Sequence, residues 1–244
     1  MNTNIEPNEF SGYDAAWSHN WDDCMVYGPS RRHQQRIVLK CLKGIKFSSV
    51  LDAGCGNGMN LANVVRYFKP SKFAGIDISL EALKKVKAIL PQGEYYQLDI
   101  QKASLDSSLD LVICCDVLEH LKDDIGSLKN IYKMSNKYVL VSTLAGKMKK
   151  SEVEVGHLRN YTKVELIRKL KEAGLVPLKV VEWGFPFFSP LHRFVLDKFP
   201  QDVNYGKFGI GRRLISWLLY ILFFLNLGFY GDYLFILSSK GDAK

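Results

Sequence analysis

Short apolar runs alternate with stretches of helical period along most of this chain, which has 244 residues. The apolar runs predict strands at 49–53, 73–78, 94–98, 109–114, 138–143, 176–183 and 233–238. Apolar residues at helical spacing predict helices at 31–42, 59–67, 80–88, 123–134 and 163–173. Strands that alternate with helices in this way predict an α/β fold in which helices cover a parallel sheet.

A glycine-rich loop follows the first predicted strand. Residues 50–58 read Val-Leu-Asp-Ala-Gly-Cys-Gly-Asn-Gly, and the glycines at alternate positions let a ligand approach bare backbone. The spacing differs from the G-x-G-x-x-G fingerprint of dinucleotide sites, because position 59 is Met. Asp52 would repel a pyrophosphate there and attract an ammonium group. The alternative is an ordinary glycine-rich turn without a ligand.

A second acid, Asp77, stands near the end of the next predicted strand, 25 residues after Asp52. A carboxylate at this position can accept hydrogen bonds from both hydroxyl groups of a ribose. The glycine loop and the two acids together indicate a ligand that is a nucleoside carrying an amino acid and no phosphate.

Four segments in chain order resemble the motifs of the class I S-adenosylmethionine-dependent methyltransferases. They are the loop at 50–58, Gly-Ile-Asp-Ile-Ser at 75–79, Tyr-Tyr-Gln-Leu-Asp-Ile at 95–100, and Leu-Asp-Leu-Val-Ile-Cys-Cys-Asp-Val-Leu-Glu-His-Leu at 109–121. The resemblance extends from residue 50 to residue 175. Its Val-Leu-Glu-His-Leu ending is typical of the small-molecule branch, which includes ubiquinone-pathway and related methyltransferases.

The resemblance implies a Rossmann-like, seven-stranded, mostly parallel sheet with an antiparallel last strand and helices on both faces. It also implies S-adenosyl-L-methionine as the cofactor, with Asp52 at its ammonium group, Asp77 at the ribose and Asp99 at the adenine amino group. The predicted cofactor-binding residues are Asp52, Gly54, Cys55, Gly56, Asn57, Gly58, Asp77, Ile78, Asp99, Ile100, Cys115 and Asp116.

The chain divides, in this prediction, into an N-terminal lid with the first helix (1–48), a cofactor-binding core (49–183), an apolar insert (184–231) and a closing strand with the tail (232–244). Trp17, Trp21 and Tyr27 are the aromatic residues of the lid. Tyr27 or Arg31 could contact the methionine end of the cofactor. The alternative for the basic turn at Arg31 is simple solvation.

His120 is the first of two candidate catalytic histidines. Asp116, Glu119 and His120 would share one helix face if a helix began there. Some ubiquinone-pathway O-methyltransferases hold a divalent cation with a similar acid-x-x-Glu-His group. The alternative, which we favour, is that Glu119 and His120 brace the helix after the fourth motif, so we predict no resident metal.

His157 is the other candidate, in the stretch Gly-His-Leu-Arg-Asn-Tyr at 156–161. In an extended loop, His157 and Arg159 alternate and can both point to the mouth of the pocket. A similar Gly-His-x-Arg-x-Tyr/Phe stretch borders the acceptor site in related methyltransferases, which implies that His157 is a base or an acceptor-binding group. The alternative is a loop held only by hydrogen bonds to nearby backbone.

The composition and charge of the chain limit which classes of binding partner we expect. A net charge of +8 and a pI of about 9.1 suit an anionic partner or a solvated basic surface. The fourth motif lacks the Asn/Asp-Pro-Pro-aromatic loop of base N-methyltransferases, and no basic stripe is evident, so we expect no nucleic acid. Five scattered cysteines without a C-x-x-C pair, and an N-terminus unlike a signal peptide, favour a reducing, cytoplasmic location.

The apolar insert contains an uncharged run at 214–230, preceded by Arg212 and Arg213. This run is at the lower limit for crossing a bilayer, and Asn226 and Gly228 interrupt it, so a transmembrane helix is not favoured. It could lie on a membrane as a peripheral contact, line an apolar acceptor pocket, or form the contact of a homodimer.

These patterns predict a methyltransferase acting on a small, apolar or membrane-associated acceptor. Two alternatives stay open at this point, a methyltransferase that modifies tRNA or another nucleic acid, and a cofactor-binding protein without catalysis.

Overall fold

A computed structural model describes residues 13–15, 17–18, 22–198 and 206–241. This part of the chain forms a seven-stranded sheet. The strands are β1 (Ser49–Ala53), β2 (Lys72–Asp77), β3 (Glu94–Gln97), β4 (Leu109–Cys115), β5 (Ser135–Leu144), β6 (Leu175–Trp183) and β7 (Tyr233–Lys240). Each predicted strand is present, with bounds that differ from the prediction by at most three residues.

The strand order is β3-β2-β1-β4-β5-β7-β6. The pairs from β3 to β5 are parallel, whereas β7 runs antiparallel to both of its neighbours, β5 and β6. This confirms the predicted sheet with its antiparallel last strand. Because β1, β2 and β4 are parallel, their carboxyl ends meet at one edge of the sheet, where ligands bind in open α/β folds.

Helices cover both faces of the sheet. In chain order they are α1 (Asp22–Tyr27), α2 (Pro29–Leu42), α3 (Met59–Phe68), α4 (Leu80–Ile89), α5 (Asp124–Met134), α6 (Lys150–Glu154), α7 (Lys163–Glu172), α8 (Arg193–Lys198) and α9 (Ile210–Leu222). Residues of α5 and α7 share one apolar core with the sheet, and residues of α2, α3 and α4 share the other. The short helices α1, α6 and α8 were not predicted, because five or six residues are too few to establish a helical period.

The central strand β1 explains why its sequence is a continuous apolar run. Val50, Leu51 and Ala53 are each 0% exposed, since helices pack on both faces of the strand. A strand buried on both faces does not alternate between apolar and polar positions. The exception is Asp52, which is 1% exposed and therefore places a carboxyl group inside the core.

The apolar insert does not form one long helix. α9 ends at Leu222, a 3-10 turn follows at Phe223–Leu225, and the chain then returns to β7. Asn226 marks the turn, because its Oδ1 accepts a hydrogen bond of 2.8 Å from the backbone N–H of Phe187. Among the helices that the structure describes, none combines the length and apolar character needed to cross a bilayer.

Candidate active site

The glycine loop leaves β1 and leads into α3 with its backbone bare. The N–H groups of Gly54 and Cys55 both donate to the Ile76 carbonyl, at 2.8 and 3.0 Å, which ties the loop to β2. Gly54 has a φ of +78°, and a Cβ at this position would lie 2.3 Å from Cγ2 of Val117. Only glycine satisfies both conditions. The loop is therefore a cradle that a side chain would fill.

Asp77, at the end of β2, holds this cradle and faces the cavity beside it. Its Oδ2 accepts a 2.8 Å hydrogen bond from the Gly56 N–H, and its Oδ1 accepts a 2.9 Å hydrogen bond from the Ser79 N–H. The side chain is buried, and desolvation raises the pKa of its carboxyl group. Each carboxylate oxygen has a second lone pair, so Asp77 can still accept the hydroxyl groups of a ribose.

Asp99 lies after β3 and carries an unused acceptor. Its Oδ1 accepts a 3.0 Å hydrogen bond from the Gln101 N–H, whereas its buried Oδ2 makes no hydrogen bond and lies 3.5 Å from Lys102 Nζ. A buried carboxylate oxygen without a hydrogen bond is costly until a donor reaches it. An adenine amino group is such a donor, and Ile78 and Ile100 supply apolar walls beside it.

One cavity of about 480 Å³ joins these groups to the two candidate histidines. Its volume lies in the range of about 300–1,000 Å³ that is usual for small-molecule sites. The predicted residues that line it are Gly54, Cys55, Gly56, Asn57, Asp77, Ile78, Asp99, Ile100, Cys115, Asp116, His120 and His157. Asp52, Gly58 and Arg159 are not among the lining residues.

Asp52 lies in β1 and Gly58 at the start of α3, and neither lines the cavity. The Oδ2 of Asp52 is buried without a hydrogen-bond partner, and desolvation raises the pKa of this carboxyl group well above its ordinary value. Gly58 caps the N-terminus of α3 with a left-handed conformation. Asp52 is 1% exposed and does not line the cavity. Its contact with the cofactor's ammonium group therefore stays a prediction.

Arg159 was predicted to point into the cavity, but it does not line it. Its guanidinium pairs with the buried Asp124 carboxylate at 2.9 Å and donates to the Lys122 carbonyl at 3.2 Å. Lys169 contacts the same carboxylate at 2.7 Å. The reason is electrostatic, because a buried carboxylate requires cationic and hydrogen-bonding partners. The expectation that His157 and Arg159 point the same way was therefore wrong, and only His157 faces the cavity.

Asp116, Glu119 and His120 do not share a helix face either. A short 3-10 turn at Leu118–His120 replaces the expected helix, and Asp116 has a φ of +55° before it. The Asp116 carboxylate instead accepts hydrogen bonds of 2.6 and 2.8 Å from the Tyr233 hydroxyl and pairs with Arg31. These partners come from β7 and α2, so sequence spacing carried no sign of them.

The structure groups Glu119 and His120 with His157. One ligand atom from each of these three side chains lies within 4.8 Å of the others, close enough to hold a metal ion. Glu119 is 0% exposed, its Oε2 accepts a 2.8 Å hydrogen bond from Thr143, and its Oε1 has no partner. The Nδ1 of His120 is also buried without a partner. The group therefore has two buried polar atoms, one on Glu119 and one on His120, that could still interact with a ligand in the cavity.

Both histidines are neutral at pH 7. Burial lowers the pKa of His157 to about 4 and that of His120 to about 3. Their rings meet edge to face, with centroids 4.7 Å apart. Burial raises the pKa of the neighbouring Glu119 carboxyl. The group therefore offers imidazole lone pairs at neutral pH.

Two residues of the predicted N-terminal lid lie at the cavity. Tyr13 and Trp17 line the cavity, and the Trp17 ring packs so closely on Gly56 that a Cβ there would lie 2.6 Å from it. Trp21 lies outside the described residues. Tyr27 faces the other way and contacts Phe208, with ring centroids 6.2 Å apart.

Sequence reasoning missed several residues of the far half of the cavity. They are Tyr13, Arg31 as a partner of Asp116, Glu152, Phe188, Arg193, Leu196 and Tyr233. Phe188, Arg193 and Leu196 belong to the apolar insert. The aromatic and proline-rich start of the insert at 185–190 was the one available signal, and it indicated an apolar wall but no charged residue.

Comparison with curated proteins identifies relatives. Residues 51–137 match a family model described as a methyltransferase domain. The chain is 28% identical over 152 residues to the ubiquinone biosynthesis O-methyltransferase of Alkalilimnicola ehrlichii, covering 58% of this chain and 61% of that protein. It is 26% identical over 230 residues to the enzyme of the same name from Idiomarina loihiensis, covering 83% of this chain and 92% of that protein.

Solved structures share the fold. The N-methyltransferase NodS of Bradyrhizobium japonicum, in complex with S-adenosyl-L-homocysteine, matches with a TM-score of 0.64 and 14% identity over 96% of this chain and 98% of that chain. Phosphoethanolamine N-methyltransferase 2 of Haemonchus contortus, in complex with S-adenosyl-L-methionine, matches with a TM-score of 0.61 and 19% identity over 95% of this chain and 56% of that chain. The solved structures, at 14% and 19% identity, confirm the predicted Rossmann-like fold, and the sequence matches are to methyltransferases.

Proposed function

We propose that this chain is a class I S-adenosylmethionine-dependent methyltransferase that transfers the cofactor's methyl group to a small, apolar acceptor that carries an acidic hydroxyl group. The observation that carries the proposal is the single cavity of about 480 Å³, which joins the cofactor cradle to the group of Glu119, His120 and His157. Apolar side chains from the insert, Phe188 and Leu196, line the acceptor half and support an apolar ligand.

S-adenosylmethionine, when bound, supplies a methyl group on a sulfonium that is already activated for displacement. The chain's own contribution is to position the acceptor and to remove its proton. The neutral imidazole of His157 can accept that proton, and the nearby Glu119 carboxyl would stabilise the resulting imidazolium. Because burial lowers the pKa of His157 to about 4, this base suits a phenol or an enol better than an aliphatic alcohol.

A labelled-methyl experiment tests this function. Purified protein is incubated with methyl-labelled cofactor and a cell extract, and the label is then measured separately in organic-soluble compounds, water-soluble compounds and tRNA. We expect the label in organic-soluble compounds and expect its release on treatment that cleaves aryl ethers. Label in tRNA would replace the proposal with a nucleic-acid methyltransferase, and binding of cofactor without any labelled product would indicate a protein without catalysis.

A bound divalent cation is the alternative use of Glu119, His120 and His157. A carboxylate and two imidazoles suit zinc or another transition metal, and our prediction of no resident metal stays untested. Dialysis against a chelator separates the two uses. An unchanged rate supports the metal-free base, whereas a loss restored by one added metal supports the cation.

We also propose that the insert brings the enzyme to an anionic membrane surface. Seven apolar side chains on and just after α9 are between 47% and 65% exposed. They form what we call the α9 patch, which consists of Leu214, Ile215, Trp217, Leu218, Ile221, Phe224 and Leu225. Ser216, at 6% exposed, is the one buried residue of α9, and Leu219 and Leu222 are half-buried against the core, whereas the side chains of the α9 patch face outward. Exposed apolar area of this extent is typical of a contact surface.

Charge around the α9 patch favours lipid as its partner. Arg32 and Arg36 of α2 lie over the rings of Tyr220 and Phe224, at 3.6 and 4.8 Å from the centroids. Arg212 and Arg213 lie over Phe208 and Tyr27 in the same way. An apolar face bordered by arginines and aromatic rings suits anionic headgroups above an acyl layer, where each cation adds about 1 kcal/mol.

Flotation with liposomes tests the membrane contact. We expect wild-type protein to float with vesicles that contain phosphatidylglycerol and to float less at high salt, because salt screens the arginines. A variant with Leu214, Leu218 and Leu225 changed to Ser should stay at the bottom. These three side chains are 53–65% exposed, so their replacement spares the core. Phe223 is unsuitable for this test, because it is 0% exposed.

A matched variant controls for the loss of apolar surface in general. Val164, Val176 and Leu178, on α7 and β6, are 75%, 49% and 54% exposed, and their replacement by Ser should leave flotation unchanged. If the wild-type protein stays at the bottom as a dimer, and the α9 variant is monomeric, the patch is a subunit interface and the lipid proposal fails.

A further inference from the structure

Asn160 contacts both His157 and a buried ion pair. Its Oδ1 lies 3.5 Å from Nδ1 of His157, and its Nδ2 donates a 2.8 Å hydrogen bond to Oε2 of Glu152. The backbone N–H of His157 also donates to the Glu152 carbonyl, at 3.0 Å. Neither Asn160 nor Glu152 was singled out by the motifs, and neither is among the predicted cofactor-binding residues.

The ion pair determines which way the Asn160 amide faces. Glu152 is 6% exposed, and its Oε1 accepts hydrogen bonds of 3.0 and 2.5 Å from the guanidinium of Arg193. A carboxylate paired in this way accepts hydrogen bonds and donates none. The NH₂ group of Asn160 must therefore face Glu152, and its carbonyl oxygen must face His157.

That orientation selects one tautomer of the imidazole. The Oδ1 of Asn160 is an acceptor, so the Nδ1 that faces it must carry the hydrogen. A neutral imidazole has one N–H, and the lone pair is then on Nε2 at the opposite edge of the ring. His157 lines the cavity, so its Nε2 lone pair is the one available to a methyl acceptor bound there.

Arg193 fixes the position of Glu152, and through it the contacts from Glu152 to Asn160 and His157. It is 2% exposed, and besides Glu152 it donates to the carbonyl oxygens of Ala145 and Lys147, at 2.9 and 3.2 Å, and pairs with Asp232 at 2.5 Å. These partners lie just after β5 and just before β7, so the guanidinium is held by the loops at this edge of the sheet. Arg193 comes from the apolar insert, which thus contributes a buried charge beside the acceptor site.

We propose that Asn160 is a positioning residue that holds His157 in the Nδ1–H tautomer, and that Arg193 acts through Glu152 to hold Asn160. The proposal rests on the proposed role of His157 as the base. In this proposal the insert does more than make a surface contact. Through Arg193 it also keeps the Nε2 lone pair of His157 directed toward the methyl acceptor.

Nitrogen NMR of the histidine rings tests the tautomer without any assay of activity. The chain has five histidines, so long-range ¹H–¹⁵N spectra are simple, and the His157→Gln variant identifies the signals of His157. We expect an Nδ1–H ring in the wild type. In Asn160→Leu, which is close in size and cannot accept a hydrogen bond, we expect a mixture of tautomers and a kcat lower by about tenfold or more. Cofactor affinity should stay within about twofold.

A paired exchange keeps the test independent of folding. In the double variant Asn160→Asp with Glu152→Gln, the carboxylate and the amide change places, so residue 160 again presents an acceptor to Nδ1. We expect this variant to recover the Nδ1–H tautomer and most of the lost rate, whereas Asn160→Asp alone apposes two carboxylates and should not.

The outcomes separate this proposal from the one it rests on. A wild-type His157 protonated on Nε2, or an unchanged tautomer in Asn160→Leu, overturns the role of Asn160 even if His157 is essential. If the tautomer responds as expected while neither Asn160→Leu nor His157→Gln changes kcat, the positioning contact stands and the proposed base is wrong.

Discussion

Replacing His157 by Ala is expected to lower kcat by about 10²–10⁴ while leaving cofactor affinity within about twofold. The rate falls because the variant lacks the imidazole lone pair that accepts the acceptor's proton. Affinity is retained because the groups of the cofactor cradle belong to other elements, Asp77 to the end of β2 and Asp99 to the segment after β3. Steady-state kinetics with the acceptor identified by labelling, together with calorimetry of cofactor binding, give both quantities.

His120→Ala is the matched comparison, since both histidines line the same cavity with rings 4.7 Å apart. We expect a smaller loss of kcat for this variant. Among the described residues, no side-chain amide contacts the His120 ring as Asn160 contacts that of His157. If kcat is unchanged in His157→Ala and collapses in His120→Ala, the base is His120. Equal losses in both variants, with sensitivity to chelation, would identify the pair as metal ligands.

Replacing Asp77 by Ala is expected to weaken cofactor binding by about 1.5–3 kcal/mol, which corresponds to roughly 10-fold to 150-fold in Kd. The loss has two sources. The carboxylate is the predicted acceptor for the ribose hydroxyl groups, and it also holds the N–H groups of Gly56 and Ser79 at 2.8 and 2.9 Å. Calorimetry with S-adenosylmethionine measures the change.

Asp110→Ala provides the control for Asp77. Asp110 is also buried and accepts a hydrogen bond from a backbone N–H, that of Ser48 at 2.8 Å, but it lies at the start of β4 on the opposite edge of the sheet. This variant should lower the unfolding temperature and leave Kd unchanged. A cofactor analogue without ribose hydroxyl groups separates the two roles of Asp77. If the wild type binds that analogue as well as the cofactor, the ribose contact is wrong and only the loop contact remains.

The central strands β1 and β4 were predictable because burial on both faces makes them apolar along nearly their whole length. The bounds were less predictable. β5 begins at Ser135, three residues before the predicted strand, because Ser135 pairs with Leu109 of β4 through backbone hydrogen bonds that do not depend on an apolar side chain. Backbone pairing can therefore extend a strand into polar sequence, where an apolar pattern gives no sign of it.

The insert shows a different limit of prediction from sequence, which is the burial of individual apolar residues. Its composition predicted an apolar contact surface, and the side chains of the α9 patch are exposed. The sequence did not distinguish the buried Phe223 from its exposed neighbours Phe224 and Leu225. Position on the helix and the turn after it decides that difference, because only Phe223 packs against Trp183 and Phe188 in the core.

The sequence by itself determined which residues we predict to bind the cofactor, and the tertiary structure decided which residues line the acceptor half of the cavity. The glycine loop, Asp77 and Asp99 follow individual strands, so each carries its chemistry in a few adjacent residues that a motif can reveal. The acceptor half depends on charges that must find partners when they are buried. Asp124 turns Arg159 away from the cavity, and Arg193 reaches Glu152 from 41 residues away along the chain. No local pattern encodes such pairs, because they form only when packing brings their elements together.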